Sequence, residues 1–268
     1  MNTDHLLAIL RRAPVGFGID ETRVWLEGVN EIQSFSEVES VFLKWGLSYI
    51  ETRALIALLQ DKYISASENL LFDGRYEDYI KQHKFVESQS GLSISGDTSS
   101  VLDFSLFDKK LLKLKLFAVR KANVIILPKN PAFEALRINC APKLTEIKNI
   151  ECIEGLKFLS IDRCKAFLDF EFIEKLNNLY VLGISGNNRL PELDFLGEKS
   201  KIRILHLAET NAMKLKNTID NLSKLKNLRY LSIRANQKEL KLLREHFPAC
   251  AINGASLNEV REREQNSF

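Results

Sequence analysis

One spacing, repeated six times, constrains this chain more than any other feature. Leu111, Leu114 and Leu116 set it. It returns at Phe133, Leu136 and Ile138; at Leu156, Leu159 and Ile161; and at Leu179, Leu182 and Ile184. Two further copies follow, Ile202, Leu205 and Leu207, then Leu228, Leu231 and Ile233. The first residues lie 22, 23, 23, 23 and 26 positions apart. Phe247, Cys250 and Ile252 fit a seventh copy 19 positions later. Alternate side chains of a strand face opposite ways, so the fourth and sixth positions share one face. A short strand cannot bury such a face alone, whereas stacked copies bury a continuous core.

The ninth position holds Cys164, Asn187, Thr210 and Asn236 from the third copy onward. A turn enclosed in the stack leaves backbone N–H and C=O groups that need partners. These side chains can supply them, the Asn carboxamide best of all. The first two copies carry Val119 and Ala141 there. Cys140 sits one place early and suggests a one-residue shift in the second copy. This pattern resembles the leucine-rich repeat family. The resemblance implies an α/β fold: a leucine-rich repeat solenoid with a parallel concave sheet, preceded by an α-rich or α/β N-terminal domain.

The rest of each copy must return the chain along the convex side. After Thr210, Asn217 to Asp220 reads as a helix start, with Leu222 and Leu225 on one face. Asn236 and Glu239 have capping-box spacing, and Leu240, Leu243 and Phe247 follow at helical intervals. Pro248 stops that helix. The shorter returns, Leu144–Ile147, Phe170–Ile173 and Leu193–Leu196, fit short helices, 3₁₀ turns or extended pieces alike.

The formal charge of +3 conceals an asymmetry. Residues 1–110 hold 11 Lys+Arg against 17 Asp+Glu, a balance of −6; residues 111–268 hold 27 against 18, a balance of +9. The expected division is a head at 1–110, repeats at 111–257 and a frayed polar tail at 258–268. No stretch approaches the ~20 apolar residues of a membrane helix, and the N-terminus lacks a secretory core. A cytoplasmic location is therefore expected. The four cysteines, Cys140, Cys152, Cys164 and Cys250, form no CxxC, and the four histidines have no zinc-ligand spacing. They read as reduced core residues, with neither metal nor cofactor expected.

Within the head, residues 1–33 suggest two short strands around a turn. Ser36 with Glu39 and Ser48 with Glu51 make two capping boxes around a Gly46-Leu47 corner. Phe42 to Leu59 resembles the opening of TrmB-type winged-helix regulators, which implies DNA binding through residues 36–62. The acidic surroundings oppose phosphate contact. Tyr76 to Lys84 reads as a further helix. Leu92 and Ile94 lie 22 residues before Leu114 and Leu116, which predicts a degenerate capping repeat.

Positions three, five and seven should point along the concave face. Phe158, Val181, Ile204 and Tyr230 would form an apolar strip about 15 Å long at strand spacing. Lys113, Lys115 and Arg137 make one end cationic, and His206 and Arg234 add polar contacts further along. Partner binding is assigned to Phe158, Val181, Ile204, Tyr230, Lys115, Arg137, His206 and Arg234. Aspartate at Phe158 and Tyr230 should then abolish binding and leave the melt cooperative. No phosphate loop, nucleophile elbow, HExxH or paired-carboxylate site occurs in the chain.

The expected function is non-catalytic protein–protein recognition. Small bacterial proteins of the family that this chain resembles include immunity proteins that neutralise a cognate toxin, which makes a toxin domain the specific candidate partner. The alternatives are a host-directed effector or ubiquitin-ligase adaptor, and a DNA-binding regulator. Only 16 residues follow Ile252, too few for an appended ligase domain.

Overall fold

The computed structural model describes residues 68–71, 91–96, 99–107, 111–199 and 201–253. The strands expected in 1–33, the helices of 34–62 and 76–84, and the tail from 258 lie outside the described residues. The chain divides into two units, Met1–Glu68 and Asn69–Phe268.

The second unit is built on a nine-stranded sheet. Its first two strands are β1 (Glu68–Leu71) and β2 (Gly91–Ser95), both ahead of residue 111. Then come β4 (Lys113–Phe117), β6 (Ala135–Asn139), β8 (Phe158–Asp162) and β9 (Val181–Ser185). The last three are β10 (Ile204–Leu207), β11 (Tyr230–Ile233) and β12 (Ala251–Ile252). From β2 to β12 each pairs in parallel with the next. Leu114, Leu136, Leu159 and Leu182 are successive Cα partners, and so are Leu116, Ile138, Ile161 and Ile184. The recurring apolar positions are therefore rungs of one ladder, and the unit is a leucine-rich repeat solenoid. Leu114, Leu136, Leu159, Leu182, Leu205 and Leu231 are all 0% exposed. Each such burial contributes about 1.5–3 kcal/mol before entropy is counted. Leu92 pairs with Leu114 and Ile94 with Leu116, so the extra repeat exists in the expected register, but β1 lies beyond it in the sheet and it is not the terminal strand.

Two register expectations need correction. Ala135 pairs directly with Lys113 and with Phe158, so the second copy carries no one-residue shift. Cys140 instead occupies the eighth position, where the chain turns through φ 59°. Ala118, Arg163, Gly186 and Glu209 have φ of 54–65° at the same place. These turns let Ala118, Cys140, Arg163 and Gly186 donate their N–H to the position-seven carbonyl of the next repeat, which extends the ladder by one rung. The seventh copy is offset by two: Leu231 pairs with Ile252, so Ile252 stands at position four and Cys250 at position two. Asn253 then ends the ladder. Its carboxamide donates to the Ile233 carbonyl at 2.6 Å and accepts from the Ile233 N–H at 2.8 Å, imitating one more strand.

The return side changes along the array. Early repeats return through a three-stranded parallel sheet of β3 (Val101–Asp103), β5 (Val124–Ile126) and β7 (Glu146–Lys148). The β-branched run Val124-Ile125-Ile126 suits extended backbone. The next returns are 3₁₀ helices at Glu171–Lys175 and Leu193–Leu196, anchored by Phe170, Phe195 and Phe167. The 26-residue repeat has length to spare, and its return becomes the helix α1 (Thr218–Ser223). Helix α2 (Gln237–His246) follows Asn236, whose side chain accepts from the Glu239 N–H at 3.0 Å while Glu239 accepts from the Asn236 N–H at 2.7 Å.

Candidate functional site on the sheet face

Three of the four ninth-position residues brace the buried turns, and the fourth caps a helix. Asn187 is 2% exposed; it donates to the Phe167 carbonyl at 3.0 Å and accepts from the Arg189 N–H at 3.0 Å. Thr210 donates to the Leu207 carbonyl and accepts from the Ala212 N–H. Cys164 donates its thiol to the Asp162 carbonyl at 3.3 Å. Burial pushes the Cys164 thiol up to about 12, and the Cys250 thiol likewise, so both remain neutral core groups and not nucleophiles. Asn236 is exposed and serves as the helix cap, because its repeat gives the ninth position to the start of α2.

On the sheet face the rows differ from expectation in their exposure. The sequence pattern points row three toward a partner, yet Phe158 and Val181 are 2% exposed, Ile204 1% and Tyr230 9%. Part of this shielding is mutual, since neighbours in the row stand one strand spacing apart and cover each other's flanks. Tyr230 also packs on the His206 ring, with centroids 5.4 Å apart. Lys115, Arg137 and His206 in row five are half-buried. Row seven reaches solvent at both ends: Phe117 is 48% exposed and Arg234 is exposed.

Between those ends lies a polar cluster. The Ser160 hydroxyl donates to Asp162 Oδ2 and the Ser185 hydroxyl to Asp162 Oδ1, each at 2.6 Å. Gly183 stands between Ser160 and His206 in row five and is buried. A Cβ at Gly183 would come within 3.2 Å of Ser160 Oγ. In rows five and seven, Arg137 Nε, Asn139 Oδ1 and His206 Nε2 are buried without a hydrogen-bond partner among the described residues. Burial holds His206 below the usual imidazole range; Asp162 opposes that shift and Arg137 reinforces it. His206 is therefore neutral near pH 7.

The sequence put His206 on the sheet face, in row five of β10, where it lies in register with Gly183 and Ser232. It did not single out the Ser160–Asp162–Ser185 bridge. The signal was present: Asp162 and Ser185 are both position-seven residues of adjacent repeats, and Ser160 lies two residues before Asp162. The cluster is not wired for acyl transfer. A nucleophilic triad places histidine between serine and carboxylate. Here both serines bond the carboxylate directly, and His206 Nε2 bonds neither. No group of His, Cys, Asp and Glu among the described residues could hold a metal. No described helix is long and apolar enough to cross a membrane.

The return side offers a hollow of about 700 Å³ lined by Leu168, Phe170, Phe195 and five carboxylates. Two of those acids are engaged locally: Asp169 accepts from the Glu171 N–H and Asp194 from the Asn221 side chain.

No family model matches the chain, and no curated protein does. Similar solved structures include an internalin from Listeria monocytogenes, 18% identical with a TM-score of 0.33 over 46% of this chain and 41% of that one. A leucine-rich repeat protein from Leptospira interrogans is 16% identical, with a TM-score of 0.29 over 55% of this chain and 54% of that one. This chain spans less than two thirds of the length of either.

Proposed function

We propose that this chain is a non-catalytic recognition module that holds a protein partner against rows five and seven of its sheet face. The reading rests on one observation: three buried polar atoms on that face lack partners, between the exposed Phe117 and Arg234. A buried polar group without a partner costs about 1–3 kcal/mol, a cost that a bound partner could remove. Position-seven residues of β4 and β11 lie five strands apart, about 24 Å at strand spacing. That span suits a folded partner better than a small molecule. A parallel sheet presents these groups with little reorganisation, which preserves affinity.

The test uses the full chain and its Phe117→Asp/Arg234→Glu variant as paired baits in lysate of the source organism. A protein retained by the first and lost by the second, at equal melting midpoints, supports the reading. Identical retained sets contradict it.

A narrower form makes the partner a toxin domain and this chain its immunity protein. The opposed charges of the two parts, −6 and +9, support a charged partner, and steering by charge speeds capture. Co-expression with the product of an adjacent reading frame tests it: rescue of growth supports the narrower form, and undiminished toxicity removes it.

A further inference from the structure

We propose that the open edge of the return-side sheet, along β7, docks an extended segment of a partner protein in which basic and apolar residues alternate. This surface is separate from rows five and seven, so the proposal stands or falls apart from the reading above.

β7 is the last strand of its three-stranded sheet and pairs with β5 alone. The Glu146 N–H donates to the Asn123 carbonyl, and the Lys148 carbonyl accepts from the Leu127 N–H. Glu146 and Lys148 therefore turn their backbone groups to β5. Alternation along the strand turns the N–H and C=O of Ile147 to the open edge. Residues 168–170, one repeat of 23 positions after 145–147, occupy the repeat position of a fourth strand. They form no strand, and no backbone hydrogen bond joins them to β7. Asp169 instead accepts from the Glu171 N–H, at the start of the 3₁₀ helix Glu171–Lys175.

Alongside this edge lies a hollow of about 490 Å³, within the size range of binding clefts. Ile147, Phe167 and Phe172 give it an apolar part. Glu146, Glu151 and Asp169 outnumber Lys148 among the charged groups that line it. The hollow of about 700 Å³ shares Asp169 with it and adds Glu171, Glu174, Glu192 and Asp194, with no cation in its lining. All seven acidic residues are exposed. Lys148 lies 3.8 Å from Glu146, and the other six carboxylates form no ion pair among the described residues. This acidity runs against the balance of +9 over residues 111–268, so the edge selects the opposite charge from the rest of the array.

These features together fix the occupant. An added strand takes affinity from main-chain bonds at the edge and specificity from alternate side chains. On β7 the exposed Glu146 and Lys148 flank Ile147, which is 6% exposed and faces inward. A segment laid beside it sets its outward side chains among the carboxylates, where lysine or arginine gains charge-assisted bonds. Its inward side chains meet Phe167 and Phe172, which favour apolar groups. A second copy of this chain is opposed, because two such acidic edges repel each other.

The experiment uses the full chain labelled with ¹⁵N. The probe is the peptide acetyl-Lys-Val-Lys-Val-Lys-amide. One control replaces each lysine with glutamate, and the other methylates every backbone nitrogen. The lysine peptide should shift the Ile147 N–H signal, with an affinity about tenfold above either control. Glu146→Lys/Glu171→Lys reverses two exposed charges and should cost about tenfold in affinity at an unchanged melting midpoint. Glu151→Gln/Glu192→Gln gives a second reading of the same loss if the reversal fails to fold. Phe117→Asp/Arg234→Glu should leave peptide binding unchanged.

Equal affinity for the glutamate peptide, or undiminished affinity in both edge variants, overturns the basic assignment. Equal affinity for the methylated peptide overturns the strand-edge assignment. No binding, or shifts that bypass Ile147, overturn the site. Dimers in sedimentation that Glu146→Lys/Glu171→Lys dissociates would make a second copy the occupant and overturn the partner assignment.

Discussion

Ser185 and Asp162 are 23 residues apart in the chain, and their side chains meet at 2.6 Å. The separation is one repeat length. Stacking in register turns that sequence period into a contact, and Ser160 completes the bridge from the same strand. Asp162→Ala should lower stability by about 1–3 kcal/mol, since two hydroxyls lose a charged acceptor. In a double-mutant cycle, Ser185→Ala and Asp162→Ala should couple measurably. Strict additivity of their urea midpoints would show that the bond contributes nothing.

Asn187 and Asn236 occupy the same repeat position and should respond differently. Asn187→Leu strands a carbonyl and an N–H inside the stack, so it should cost about 1–3 kcal/mol and lower the global melting midpoint. Asn236→Ala removes a helix cap, at about 1 kcal/mol. Hydrogen exchange locates the second loss: faster exchange confined to α2 is expected. Equal losses across the whole sheet would contradict this division.

Phe158 gives a prediction opposite to the one that its sequence position suggests. At 2% exposure, Phe158→Asp buries a carboxylate and opens a cavity. A loss of about 3 kcal/mol or more is expected, visible as a lower melting midpoint. An unchanged midpoint would mean that row three is open to solvent after all.

His206 makes stability depend on pH. Its folded pKa lies below the unfolded value, so the unfolded chain binds the proton more readily. The stability contribution is full above the unfolded value of about 6.5 and falls as pH drops through the folded one. The urea midpoint should therefore fall more between pH 7.5 and 5.5 in the parent chain than in His206→Gln. Parallel slopes would remove His206 as the cause.

Gly155 tests the packing of the repeat joints. A Cβ there would lie 2.1 Å from the Pro131 carbonyl oxygen, a backbone atom that cannot swing away. Gly155→Ala should destabilise by about 1–3 kcal/mol through forced backbone movement. Gly197→Ala meets nothing within 4 Å, and only its φ of 49° opposes the change. The larger loss is expected at Gly155, read from paired urea midpoints.

The ladder could be read from the chain because its cause is local and periodic. Leu159 and Ile161 repeat in kind at every copy, and α2 announces itself through Asn236 and Glu239. The register of the last repeat is not legible in the sequence, because Cys250 and Ile252 carry suitable side chains at the wrong offset and only the Leu231–Ile252 pairing fixes them. Burial of row three was hidden for a different reason. The period of two states which side of the sheet Phe158 faces, and says nothing about how much water reaches that side. The polar cluster needed three dimensions, since Arg137, Asp162 and His206 come from three separate strands.

The most direct test of the recognition claim is photo-cross-linking in cells of the source organism, with benzoylphenylalanine placed at Phe117 or at Leu242. Both are exposed, at 48% and 40%, but Phe117 lies on the sheet and Leu242 on α2. The recognition reading predicts a discrete protein adduct at 117 and none at 242. Adducts at 242 alone, or the same adducts at both sites, would contradict it.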